Sequence, residues 1–132
     1  MKNDYLSKLI PVARSTKYPI DAFLFVQRGL DFTVKRMHGQ NAQSDGADES
    51  RHVTGRDLCV GIRDYALEQY GLLAKTVLVR WNIQNCEDFG HIVFTMVDAQ
   101  IMRKTDEDSI RDFMDVYDFN EAFTPKLELT NS

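Results

Sequence analysis

Residues 52–71 read HVTGRDLCVGIRDYALEQYG, and this stretch decides the fold. On a wheel of about 100° per residue, Leu58, Ile62, Tyr65, Ala66 and Tyr70 share one arc, the mark of an amphipathic helix packed on a core. Thr54 and Asp57 have the spacing of a capping box, with Asp in place of the usual Glu, and Val53 stands where a hydrophobic staple would. Gly71 is suited to stop the helix, because it adopts positive φ without the steric penalty of a Cβ. Val60 and Leu67 form a second apolar strip on the far side. A helix with two apolar strips is normally covered on both sides, which predicts that 54–70 lies at the centre of the domain.

Working outward, LLAKTVLVRWNI at 72–83 carries Leu73, Val77 and Trp81 on one stripe with Leu78 beside it. Its β-branched run is compatible with a strand, but the three-to-four spacing predicts a helix. Asn85 precedes CEDFGHIVFTMVDAQIM, where Glu87 and Asp88 in the first turn complement the helix dipole. Phe89, Ile92, Val93, Met96, Val97 and Ile101 share one face of this helix, and His91, Thr95 and Asp98 the other. Toward the N-terminus, YPIDAFLFVQRGLDFTVKRMHG at 18–39 opens with Pro19 and closes with Gly39, both well placed as helix boundaries. Its predicted core arc is Ala22, Phe25, Val26, Leu30, Val34 and Met37, with Gly29 a mild weakness. Ahead of it, Asp4 is a candidate N-cap for a stripe of Tyr5, Leu6, Leu9 and Ile10, a helix expected to be short or kinked at Pro11. Residues 39–51, GQNAQSDGADESR, hold no large apolar residue and read as a flexible loop. Residues 103–123 predict one or two short helices, an acidic strap anchored by Phe113, Val116, Tyr117, Phe119 and Phe123, with a frayed tail after 125.

The pattern predicts a single all-α domain over residues 1–132, a bundle of five or six helices around 54–70. The competing reading is a winged-helix-like α+β fold, with IMRK and FMDVYDF as short strands of a wing. Acidic residues in that wing would repel a DNA backbone, so DNA is not expected as a partner.

Composition bounds the function. With 132 residues and 43% hydrophobic content, the chain can bury a core without disulfide or metal staples. A net charge of -4 and a pI near 5.3 exclude a generally basic nucleic-acid binder. No apolar run reaches the ~18 to 20 residues of a membrane span, and the first residues lack a signal-peptide core, so a cytoplasmic protein without membrane contact is expected. The mild total hides an asymmetry: residues 1–38 hold seven basic and three acidic residues, whereas 98–121 hold three basic and eight acidic. Either the two ends lie against each other, or one attracts a charged partner or a second copy of the chain.

Signals for chemistry are weak. His52, His91, Cys59, Cys86, Glu87 and Asp88 are metal-ligand types, but none stands in HxxxH, CxxC or HExxH spacing. A Cys-His nucleophile built on Cys86 lacks any local signature. The acids of TDEDS, with Asp112 and Asp115, lack the alternation and glycine of a calcium loop, and read as Thr105 or Asp106 capping a short helix. Gly55, Gly61, Gly71 and Gly90 make no phosphate cradle; Gly61 reads as a close helix-packing point. No catalytic residue, metal or cofactor is implied.

The blocks HVTGRDLCVGIRDYALEQYG, LLAKTVLVRWNI, EDFGHIVF and KTDEDSIRDF resemble a family of small uncharacterised bacterial proteins that carry them in the same order. The resemblance covers residues 52–123, with a looser likeness around YPIDAFLFV. It implies a bacterial, cytoplasmic, mainly helical domain and carries over no site. The chain departs from that pattern after Trp81, where Asn82 replaces a commoner glycine, and at His91, which replaces an acid.

Two features favour binding over chemistry. Arg28, Phe32, Lys35 and Arg36 line the outer side of the second helix, where cations beside an aromatic suit an acidic partner or an RNA backbone. The Val60–Leu67 strip, if uncovered, is a dimer or partner surface. The expectation is a non-enzymatic protein-interaction or regulatory module that binds another protein or itself; the alternative is an RNA- or ribosome-associated factor using Arg28, Lys35 and Arg36.

Overall fold

A computed structural model describes residues 2–39, 53–102 and 109–123. The predicted loop at 39–51 beyond Gly39, His52, Tyr5 as a core side chain, the TDEDS acids and the tail after 125 lie outside the described residues. In chain order the helices are α1 (Lys2–Arg14), α2 (Ile20–His38), α3 (Gly55–Tyr70), α4 (Ala74–Arg80), α5 (Cys86–Asp98) and α6 (Phe119–Phe123). Single 3-10 turns occupy Gly71–Leu73 and Ile110–Phe113. The described residues hold no strand, so the all-α bundle stands and the winged alternative does not. FMDVYDF, its proposed second strand, runs from the end of a 3-10 turn into α6.

Local chemistry sets the boundaries of α3 and α5. Thr54 Oγ1 accepts from the Asp57 N–H at 3.0 Å while the Asp57 carboxylate accepts from the Thr54 N–H, closing the box. Asn85 and Asp88 do the same for α5. Each box satisfies two N–H groups that a helix start otherwise leaves unpaired. Gly39 and Gly71 end α2 and α3 at φ 76 and 53, as their positions predict.

The spine is the pair α2 and α3, and α3 also meets α4, α5, α6 and the second 3-10 turn, the central place its two apolar strips predict. Gly29 of α2 faces Ile62 of α3, and Gly61 of α3 faces Thr33 of α2, so the backbones approach closely at two adjacent points. This tilts the buried face of α2. Ala22, Phe23, Phe25, Val26, Gly29 and Thr33 are buried, while Leu30 and Val34 are half-buried and Met37 is exposed. The expected arc through Met37 is corrected accordingly.

α1 passes through Pro11 to Arg14, neither stopped by it nor capped at Asp4, which lies inside the helix. The lost hydrogen bond at an interior proline costs about 3 kcal/mol in isolation. Here Leu9 and Ala13 are buried against the core, whereas Leu6 and Ile10 are exposed, so docking rather than helix propensity holds α1. In α4 the buried pair is Ala74 and Leu78, with Val77 and Trp81 half-buried and Leu73 out in solvent, a correction to the expected Leu73–Val77–Trp81 stripe. The strap anchors as expected: Phe113, Phe119 and Phe123 are buried, and Phe113 lies where Gly55 and Gly90 leave room for its ring.

Candidate functional site: an apolar corner and a buried thiol pair

The corner between α3 and α4 is built by Gly71. Its positive φ turns the chain, its N–H caps α3 on the Leu67 carbonyl, and the 3-10 turn that follows carries Leu72 and Leu73 outward. Leu72 is 73% exposed and Leu73 is 62% exposed, the two most open large apolar side chains among the described residues. Leu67 and Tyr70, one turn back on α3, are also exposed. Tyr70 belongs to an aromatic cluster: the Phe25 ring meets Tyr65 and Trp81, each at 5.4 Å, and Tyr70 stands edge-on to Trp81 at 6.3 Å. Exposed leucines side by side form a surface that can bury apolar area on a partner.

The residues singled out by sequence divide around this corner. Leu67 joins it, whereas Val60 is half-buried. Arg28 and Lys35 are exposed on α2. Phe32 instead packs against Tyr65 of α3 at 5.4 Å, and Arg36 lies over the Phe32 ring while its Nη1 donates to Asp64 Oδ2 at 2.6 Å. These two side chains clamp α2 to α3. Arg63 also donates to Asp64; burial pushes the Asp64 carboxyl up, but the two guanidinium groups outweigh it and hold its pKa below the ordinary carboxylate value. Lys17 pairs with Asp88 at 3.6 Å, so both Lys17 and Arg36 meet the middle of the chain.

Three further arrangements escape sequence reading. Between α1 and α2, Thr16 Oγ1 donates to the Ala13 carbonyl and accepts from the Tyr18 N–H, which turns the buried Tyr18 ring inward. Its hydroxyl donates to Asp88 Oδ1, while Asp88 Oδ2 accepts from the N–H groups of Gln84 and Asn85. Burial, then the hydrogen bond to Asp88, raises the Tyr18 pKa. The neighbouring Asn82 takes φ 67 and donates from Nδ2 to the Lys17 carbonyl, so the two connectors are stitched together.

The second site is chemical. Cys59 of α3 and Cys86, the first residue of α5, are both buried free thiols. Donation from Cys59 draws the Cys86 pKa down to about 7 against the effect of burial, with contacts to Tyr117 and Val116 adding to it. The same pairing, with burial, pushes Cys59 up. Tyr117 closes over both: its hydroxyl donates to the Cys59 carbonyl at 2.8 Å, and the Cys86 thiol donates to the Tyr117 carbonyl at 3.7 Å. Of the two histidines weighed against Cys86, His91 is exposed on the polar face of α5 and His52 lies outside the described residues. No group of three or more His, Cys, Asp or Glu among the described residues could hold a metal ion. No described helix is long and apolar enough to cross a membrane. No family model, curated protein or solved structure matches the chain.

Proposed function

We propose that this chain is a non-enzymatic protein-interaction module whose contact surface is the corner formed by Leu67, Tyr70, Leu72 and Leu73. The observation that carries the reading is the exposure of Leu72 and Leu73 at 73% and 62%, side by side in a turn held by Gly71. Burying an exposed leucine recovers roughly 1.5–3 kcal/mol, so the pair offers apolar area that a partner gains by covering. The setting that accompanies this reading is the bacterial cytoplasm, as the resemblance over residues 52–123 implies. The alternative RNA-binding reading has less support, because Phe32 packs against Tyr65 and Arg36, though exposed, is paired with Asp64.

A photoreactive residue introduced at position 72 tests the proposal, with position 91 on the polar face of α5 as the comparison. Crosslinks to a discrete protein from position 72 and none from position 91 support it. An adduct of twice the 15.2 kDa chain identifies a second copy as the partner. Equal, diffuse labelling from both positions overturns it.

A further inference from the structure

The outward face of α4 continues the apolar corner. Leu72, Thr76 and Val79 recur at the i, i+4, i+7 spacing of one helical face, with Leu73 and Arg80 beside them, and all five side chains are exposed. The inward face of the same segment is filled by Ala74 and Leu78, both fully buried. A helix that already buries one apolar face in its own domain needs no second one, yet this segment turns two leucines and a valine to water. An outward apolar row of this kind is matched by another helix laid along it. Thr76, at the middle, is the smallest side chain of the row, so two such helices can approach closely there.

Charges at the two ends of the row identify that helix. Arg80 closes α4, and Glu68 stands on α3 one turn before the corner. Both are exposed, and neither side chain makes an ion pair or hydrogen bond among the described residues. The last turn of α3 holds no basic residue, so the negative end of its dipole has no cation beside it in that turn. Arg80 lies about 12 Å along the row from Leu72, so in a single chain the cation and the carboxylate sit at opposite ends. Reversing the row and laying it on itself brings each cation to the other's carboxylate end.

We infer, resting on the interaction reading of the corner, that its partner is a second copy of this chain, docked antiparallel along α4 about a two-fold axis at Thr76. In that arrangement Leu73 meets the partner's Val79, and Arg80 reaches the partner's Leu72 and Glu68. The contact is isologous, the form that closes at two copies. Burial of the leucines and valines drives the association. The two symmetric ion pairs set its direction, because a parallel pairing would place Arg80 against the partner's Arg80.

The test is sedimentation equilibrium of the full chain across a concentration series. The mass should rise from 15.2 kDa toward twice that value, while L72S/L73S stays at 15.2 kDa throughout. Each charge reversal acts at both symmetric contacts, so R80E and E68R should each weaken dimerisation about tenfold, and E68R/R80E should recover most of the loss. A disulfide should join two T76C chains faster than two E68C chains, since a residue on the axis meets its own copy. All the substituted side chains are exposed in the single chain, so the variants keep the fold. A mass fixed at 15.2 kDa, a dimer that persists in L72S/L73S, reversals without effect or without mutual rescue, or T76C linking no faster than E68C overturns the inference. A monomer that still crosslinks from position 72 to a different protein overturns the second copy and leaves the interaction reading standing; equal labelling from positions 72 and 91 removes that reading as well.

Discussion

Gly61 of α3 lies against Thr33 of α2 so closely that a Cβ at position 61 would stand 1.8 Å from Thr33 Oγ1 and 2.7 Å from Thr33 Cβ. Thr33 is fully buried, and its hydroxyl donates to the Gly29 carbonyl at 2.7 Å, so it has no open side to retreat to. G61A should therefore destabilise the protein by about 2 kcal/mol or more, an overpacking penalty, measured by urea denaturation. T33A added to G61A removes the hydroxyl but leaves the Cβ contact, and should restore only part of the loss.

Tyr18 and Asp88 join segments 70 positions apart. Y18F keeps the ring packed edge-on to Phe23 but leaves a buried carboxylate oxygen short of a donor. It should cost about 1–3 kcal/mol in the same assay. D88A should cost more, because the N–H groups of Gln84 and Asn85 lose their acceptor as well.

Asp64 makes a pH-dependent contribution. Its folded pKa is depressed, so the stability it adds is present above the unfolded carboxylate value and lost as pH falls through the folded one. The pairs are partly exposed, and D64N should cost only about 0.5 to 1 kcal/mol at neutral pH. The gap between parent and D64N should close below about pH 4, as followed by thermal melts across pH.

Leu72 and Leu73 support the fold little. L72S/L73S should unfold within about 0.5 kcal/mol of the parent, since both side chains are already in solvent. A loss of several kcal/mol would assign the corner to the core.

What was legible in the sequence was what depends on near neighbours. The boxes at Thr54–Asp57 and Asn85–Asp88, and the stops at Gly39 and Gly71, are decided within a few residues, and period-3.6 spacing was enough to predict α2, α3 and α5. The same arithmetic misjudged which side of α2 is deepest, because it weights large apolar residues while the closest helix contact is made by Gly29 and Thr33. Position 82 is instructive: its positive φ suits asparagine or glycine, which gives a backbone reason for either residue after Trp81. Tyr18–Asp88 and Cys59–Cys86 were beyond reach, since both depend on how α5 docks and carry no local signature. The candidate surface is half legible: the spacing picks out Leu67 as part of a strip but puts Leu73 on the apolar stripe of the next helix, and its exposure follows from the turn at Gly71.

The central claim is that the apolar corner holds a protein partner. Affinity capture from native extract, run in parallel for the parent and L72S/L73S and with and without nuclease, tests it most directly. The account predicts a stoichiometric protein that survives nuclease with the parent and is lost with L72S/L73S. Identical captures by both chains, or a capture abolished by nuclease, would contradict it.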